Sequence, residues 1–212
     1  MAAPTAAVDI CNLSLDLLKQ DAIASIDAPT GGTDVICARW YDHTRRTTLR
    51  KHPWNFAGSR TTIAPNAVAP VFGYAYAYDL PSDFIRLLTI GDDYINDLQG
   101  KYQLENNQLL FNAADSSSLK LRYVYDFTNV ALMDPLFVDV FAAELALRMA
   151  YKVTGSDEAA ERITTHLKLI APEAYAIDGQ ERPPTRIQRS KFLDARKRGS
   201  SSRVAGQNTV FD

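Results

Sequence analysis

Apolar positions in this chain recur at helical spacing toward both ends and at every second residue in the middle. Over residues 5–20, Val8, Cys11, Leu15 and Leu18 fall on one face, with Thr5 placed to cap the helix. Ala28-Pro29-Thr30-Gly31-Gly32 is a turn or loop. A second helix is expected over about residues 34–51, with Thr33 as its cap. Val35, Ala38, Tyr41 and Leu49 roughly share a face there, with Trp40 nearby. Arg45, Arg46, Arg50 and Lys51 crowd the last turns, where the helix dipole favours cations, and Pro53 stops the helix.

Between residues 54 and 127 the period becomes two. Trp54 and Phe56 alternate, and Phe72, Tyr74, Tyr76 and Tyr78 would put four aromatics on one strand face. Residues 84–90 follow a Leu80-Pro81-Ser82 turn as a strand. Asn106-Asn107 suits a hairpin between 102–104 and 109–111, because Asn tolerates positive φ. Leu119, Leu121, Tyr123 and Tyr125 mark a last strand. Helical spacing then returns. Asp134-Pro135 is an N-cap with proline at the first helical position. Residues 136–153 are apolar almost all round, with Glu144 and Arg148 spaced as an i,i+4 pair. Gly155 ends that helix and Ser156 caps another. Ile163, Leu167, Ile170, Ala174 and Ile177 mark its buried face, and Pro172 is expected to kink or interrupt it.

The fold class expected is therefore α+β. Residues 1–53 and 129–178 supply a helical bundle built from both ends of the chain. Residues 54–128 form an inserted small antiparallel sheet, and residues 179–212 an extended basic tail.

Composition adds little until charge is mapped by position. The chain has 212 residues, 46% of them hydrophobic, which suits an ordinary globular protein with a real core. Two cysteines, Cys11 and Cys37, make no disulfide framework, and a reducing compartment is the simpler reading. No apolar run is long enough to span a bilayer, and the N-terminus lacks a basic leader, so neither membrane nor secretion is expected. The net charge is −2, yet Arg182, Arg186, Arg189, Lys191, Arg196, Lys197, Arg198 and Arg203 are opposed by Asp194 alone. That segment carries +7 and leaves −9 for the rest. It has the composition of a tail that folds only on a partner. A docking arm for protein, a solubilising tail and a nucleic-acid contact all fit it.

Candidate chemistry is thin. His43, His52 and His166 are scattered without metal-ligand spacing, and no glycine-rich phosphate cradle or G-x-S-x-G elbow is present. No catalytic residue, metal or cofactor is therefore expected. Asp92, Asp93, Asp97 and Glu105 lie close to a tyrosine-rich stretch, and paired carboxylates beside aromatics can hydrolyse glycosides. The aromatic row could be a packed sheet face, a sugar platform or a base-stacking one. A virion-associated glycan hydrolase or carbohydrate-binding tail protein is the alternative these residues leave open.

Six segments are similar to one family. His52-Pro53-Trp54-Asn55-Phe56-Ala57, Phe72-Gly73-Tyr74 through Tyr78, and Leu80-Pro81-Ser82-Asp83-Phe84-Ile85-Arg86-Leu87 resemble the tail tubular protein A family. These are head-to-tail adaptors of short-tailed bacteriophages. Ile10 to Leu15, Leu121 to Asp126 and Ala150 to Ser156 resemble it in the same order. The resemblance implies a helical-bundle adaptor with a β-rich extension. Copies would close into a ring, commonly a dodecamer, in the virion between the portal and the tail nozzle or tube. Viral DNA would pass through the lumen without specific recognition. Assembly would take place in the host cytoplasm. Bundle helices would form much of the contact between copies, with the sheet facing the tail. The resemblance spans roughly residues 8–178 and leaves out the basic arm, for which docking on an acidic portal surface is a separate expectation from its charge.

Overall fold

The computed structural model describes residues 4–91, 93–94, 98, 101–113 and 118–181. The first helix, α1 (Ala7–Leu17), begins where Asp9 dictates. The Asp9 carboxylate accepts the backbone N–H groups of Thr5 (2.8 Å) and Ala6 (2.9 Å), which holds its pKa below the usual value. Ala6 is thus the boundary residue, and Thr5 leans on Asp9 instead of capping. The helix stops short of residue 20 because Lys19 takes φ +58°. The N–H groups of Lys19 and Gln20 close back on Asp16 and Leu15.

Helix α2 (Thr33–Lys51) repeats the device. The Asp34 carboxylate, not Thr33, gathers the N–H groups of Thr30 and Gly31. The buried face also differs from the expected one. It runs through Cys37, Tyr41, Thr44, Arg45, Thr48 and Leu49, while Val35 and Ala38 are only half-buried. The threonines are tolerated inside because their hydroxyls donate to the carbonyls of Trp40 and Thr44, one turn back.

Helix α3 (Pro135–Thr154) has the expected start. Asp134 Oδ1 accepts the N–H of Leu136 at 2.8 Å and of Phe137 at 3.2 Å, and Pro135 follows directly. Its end is Gly155 at φ +67°, a conformation other residues adopt only with strain. Being apolar on most sides, α3 packs against α1, α2 and α4 (Asp157–Gln180). The i,i+4 pair does not form. Glu144 pairs with Lys51, and Arg148 donates to Thr47 Oγ1 and lies over the Trp40 ring. α4 passes through Pro172 without interruption, with the proline on its exposed side. Ser156 makes no side-chain cap, and Ile177 lies exposed instead of on the buried face.

The middle of the chain forms two antiparallel sheets, not one. Strands β1 (Gly58–Ile63), β3 (Phe84–Ile90), β4 (Asp93–Tyr94) and β7 (Leu119–Tyr125) form the first, in the order β1-β7-β3-β4. Strands β2 (Tyr76–Asp79), β5 (Tyr102–Glu105) and β6 (Gln108–Phe111) form the second, in the order β2-β6-β5. The β5–β6 turn is the expected Asn106-Asn107, at φ +48° and +58°. Trp54 and Phe56 lie in a turn, not a strand, because Trp54 is drawn wholly into the helical core.

The architecture is mixed α+β. One core gathers side chains from all four helices with Trp54, Ile85, Val124 and Phe127. A smaller one joins the two sheets through Tyr78, Leu87, Leu109 and Leu121. Among the described residues, no helix is long and apolar enough to cross a membrane.

Candidate interaction surfaces

Three of the six segments that carry the resemblance meet where the first sheet joins the helices. His52 Nε2 lies 2.8 Å from Asp178 Oδ2 near the end of α4, and the His52 ring stacks on Tyr175. The backbone N–H of Asn55 donates to Asp178 Oδ1, and its amide donates to the Asp178 carbonyl. The His-Pro-Trp-Asn stretch thereby fastens the exit of α2 to the end of α4. From the Leu80–Leu87 segment, Arg86 donates to the carbonyls of Arg50 and Lys51, and Ile85 accepts from Arg50. Asp83 accepts the Tyr123 hydroxyl. From the last strand, Asp126 accepts from Arg45 Nη1 at 2.5 Å, and the same nitrogen donates to the Phe127 carbonyl at 2.7 Å. Arg45 is only 4% exposed. Its place in the last turns of α2 favours a cation, and nothing in the local sequence signals a partner 81 residues away.

The two described carboxylates singled out for chemistry, Asp93 and Glu105, belong to different sheets. Asp93 sits in β4 of the first sheet and Glu105 at the end of β5 in the second, where it accepts from Gln103. Asp92 and Asp97 lie outside the described residues. The aromatic row is broken as well. Phe72 (87% exposed) and Tyr74 precede the strand, and only Tyr76 and Tyr78 are in it. Tyr78 is fully buried between the sheets. Val68 and Val71 are exposed beside Phe72, so this connection offers apolar surface. Cys11 and Cys37 are both buried and unbridged, and a shared hydrogen bond with burial pushes the Cys11 thiol up. Among the described residues, no group of three or more His, Cys, Asp or Glu could hold a metal ion.

Two charged surfaces stand out. A groove of about 640 Å³ between α1 and α3 is lined by Asp9, Asp16 and Asp139 around Leu13, Met133 and Val138, with no basic side chain. Partial burial raises the Asp139 pKa above its usual value, with His166 acting against the shift. The opposite sign appears on the first sheet. Arg60, Lys120 and Arg122, with Thr62 and Thr89, line an open depression of about 400 Å³. The eight basic residues of the proposed arm, Arg182 to Arg203, lie outside the described residues.

Comparison with models of known protein families finds no match, and comparison with curated proteins finds none either.

Proposed function

We propose that this chain is a head-to-tail adaptor of a bacteriophage, a structural virion protein whose copies form a ring of twelve between portal and tail nozzle or tube. The observation that carries the reading is the joint just described. Segments that resemble the tail tubular protein A family meet there through named hydrogen bonds: His52–Asn55 with Asp178, and Arg86 with Arg50 and Lys51. Such a joint makes one helical body, drawn from both ends of the chain, carry a β-rich extension as a unit. That division suits a ring subunit: the helices supply much of the contact between copies, and the extension reaches beyond the helical body toward the tail.

A closed ring requires a head-to-tail contact between two unlike faces, of order 1,000 Å² or more for a lasting assembly. A body carrying −9 outside residues 182–203 also suits passage of a genome, because a basic lumen would retain phosphates. The basic segment docks on an acidic portal surface in this reading, and deleting residues 182–212 weakens portal binding. The decisive experiment is electron microscopy of the chain mixed with a portal complex. Rings seated on the portal are expected. A stable monomer both alone and with portal would reject the proposal.

A further inference from the structure

The first sheet turns one face toward the second sheet, through Leu87, Ile90 and Leu121. Its other face changes character along its length. Near the helices Val124 belongs to the helical core, and Arg86 opposite it is held by the carbonyls of Arg50 and Lys51. Farther along, Arg60 stands directly opposite Arg122, and Thr62 directly opposite Lys120. Thr89 flanks Arg122 from β3. Like charges facing each other across a strand pair weaken a sheet. Arg60, Lys120 and Arg122 form no ion pair with any described residue. An acid at position 60 would relieve the repulsion at once. The sheet instead keeps three cations together on a body whose net charge outside residues 182–203 is −9.

We propose that this cationic sheet face is one half of the contact between copies, receiving the acid-bearing surface of a second copy of this chain. The inference rests on the ring reading and names the chemistry of its interface. A head-to-tail contact needs unlike faces on one subunit. A cationic patch on a body of net charge −9 supplies such a pair where it meets an acid-bearing surface of the next copy. The groove between α1 and α3, with three carboxylates and no basic side chain, is a surface of the required sign. Two guanidinium groups side by side offer the planar, forked donors that carboxylates accept best. Duplex DNA is the poorer occupant, because a body of net charge −9 outside residues 182–203 disfavours the approach of phosphates.

The test uses the full chain with Arg60→Glu. This substitution turns a repulsive cross-strand pair into an attractive one, so the variant is expected to melt no lower than the parent. Its rings on the portal complex, counted by electron microscopy, should fall by about tenfold or more, since like charges then face each other across the interface. Mixed in equal amounts with the parent chain, it should also lower the parent's ring yield. A subunit with one working face joins an arc and ends it, whereas an unfolded chain would leave the parent untouched. Lys120→Glu should act in the same direction. Wild-type ring yield from both variants, without poisoning, would overturn the inference while leaving the ring reading intact. Absence of rings from the parent itself would instead remove the ring reading and this inference with it. Unchanged assembly with lost salt-sensitive binding to a short DNA duplex would reassign the face to nucleic acid.

Discussion

The helical and β-rich regions use their apolar residues differently. Around α3 the large side chains Trp54, Phe137, Phe141, Leu145 and Met149 are completely enclosed; the Trp54 and Phe137 rings meet edge to face, and Phe141 tilts against Phe137. The sheets share a smaller core and leave Val68, Val71 and Phe72 in water. One region puts its apolar surface into holding the chain together. The other keeps part of it on the outside, with three cations that have no ion pair among the described residues. Stability is therefore concentrated in the helices, and the surface available for partners in the sheets.

The largest expected effect tests the first half of that contrast. Phe141→Ala opens a cavity in the helical core and should cost about 3–5 kcal/mol, read as a lower midpoint in urea unfolding. An unchanged midpoint would mean that the stability resides elsewhere. Arg45→Met comes next. It removes the donor of Asp126 and of the Phe127 carbonyl, and should cost about 3 kcal/mol by the same measurement. Leu109→Ala sharpens the comparison, with a loss of about 2–3 kcal/mol. Hydrogen exchange should then speed up in β2, β5 and β6 while α3 stays protected. Equal loss of protection in α3 would show the two cores to be one cooperative unit. Gly155→Ala meets no neighbour within 4 Å, so its cost of about 1 kcal/mol is purely that of positive φ.

The smallest effect is pH-dependent. The N–H of Thr30, with those of Val35 and Gly31, lowers the Asp34 pKa below its usual 3.8. A carboxylate whose folded pKa is lowered stabilises fully above its unfolded pKa, and loses that contribution as pH falls through the folded value. Asp34→Asn should therefore lower the melting temperature at pH 7, with a smaller deficit at pH 2. A deficit of the same size at both pH values would assign the effect to shape and not charge.

Much of the element order was legible because it depends on local pattern. The Asp134-Pro135 start, the Gly155 stop, strand β3 and the Asn106-Asn107 turn each follow from residues within a few positions. The helix starts at Asp9 and Asp34 were misread, because an acid in the first turn can gather the preceding N–H groups as well as a hydroxyl cap does. The aromatic alternation at 72–78 misled for a different reason. Periodicity cannot tell a strand from an apolar connection without knowing which residues find a second strand, and only 76–79 do. The candidate surfaces were less legible still. Arg60 and Arg122 are 62 positions apart in sequence and become neighbours only through the register of β1 on β7.

The sequence by itself determined where helices and strands alternate, where several of them stop, and that the charge is divided between an acidic body and a basic end. Those properties reside in neighbouring residues and in sums over the chain. Tertiary structure alone decided that Arg45 is an interior ion-pair partner, that Asp178 clasps His52 and Asn55, and that three cations share one sheet face. The physical reason is the same in each case. A charge acquires its meaning from what lies within a few ångströms of it, and those neighbours come from distant parts of the chain.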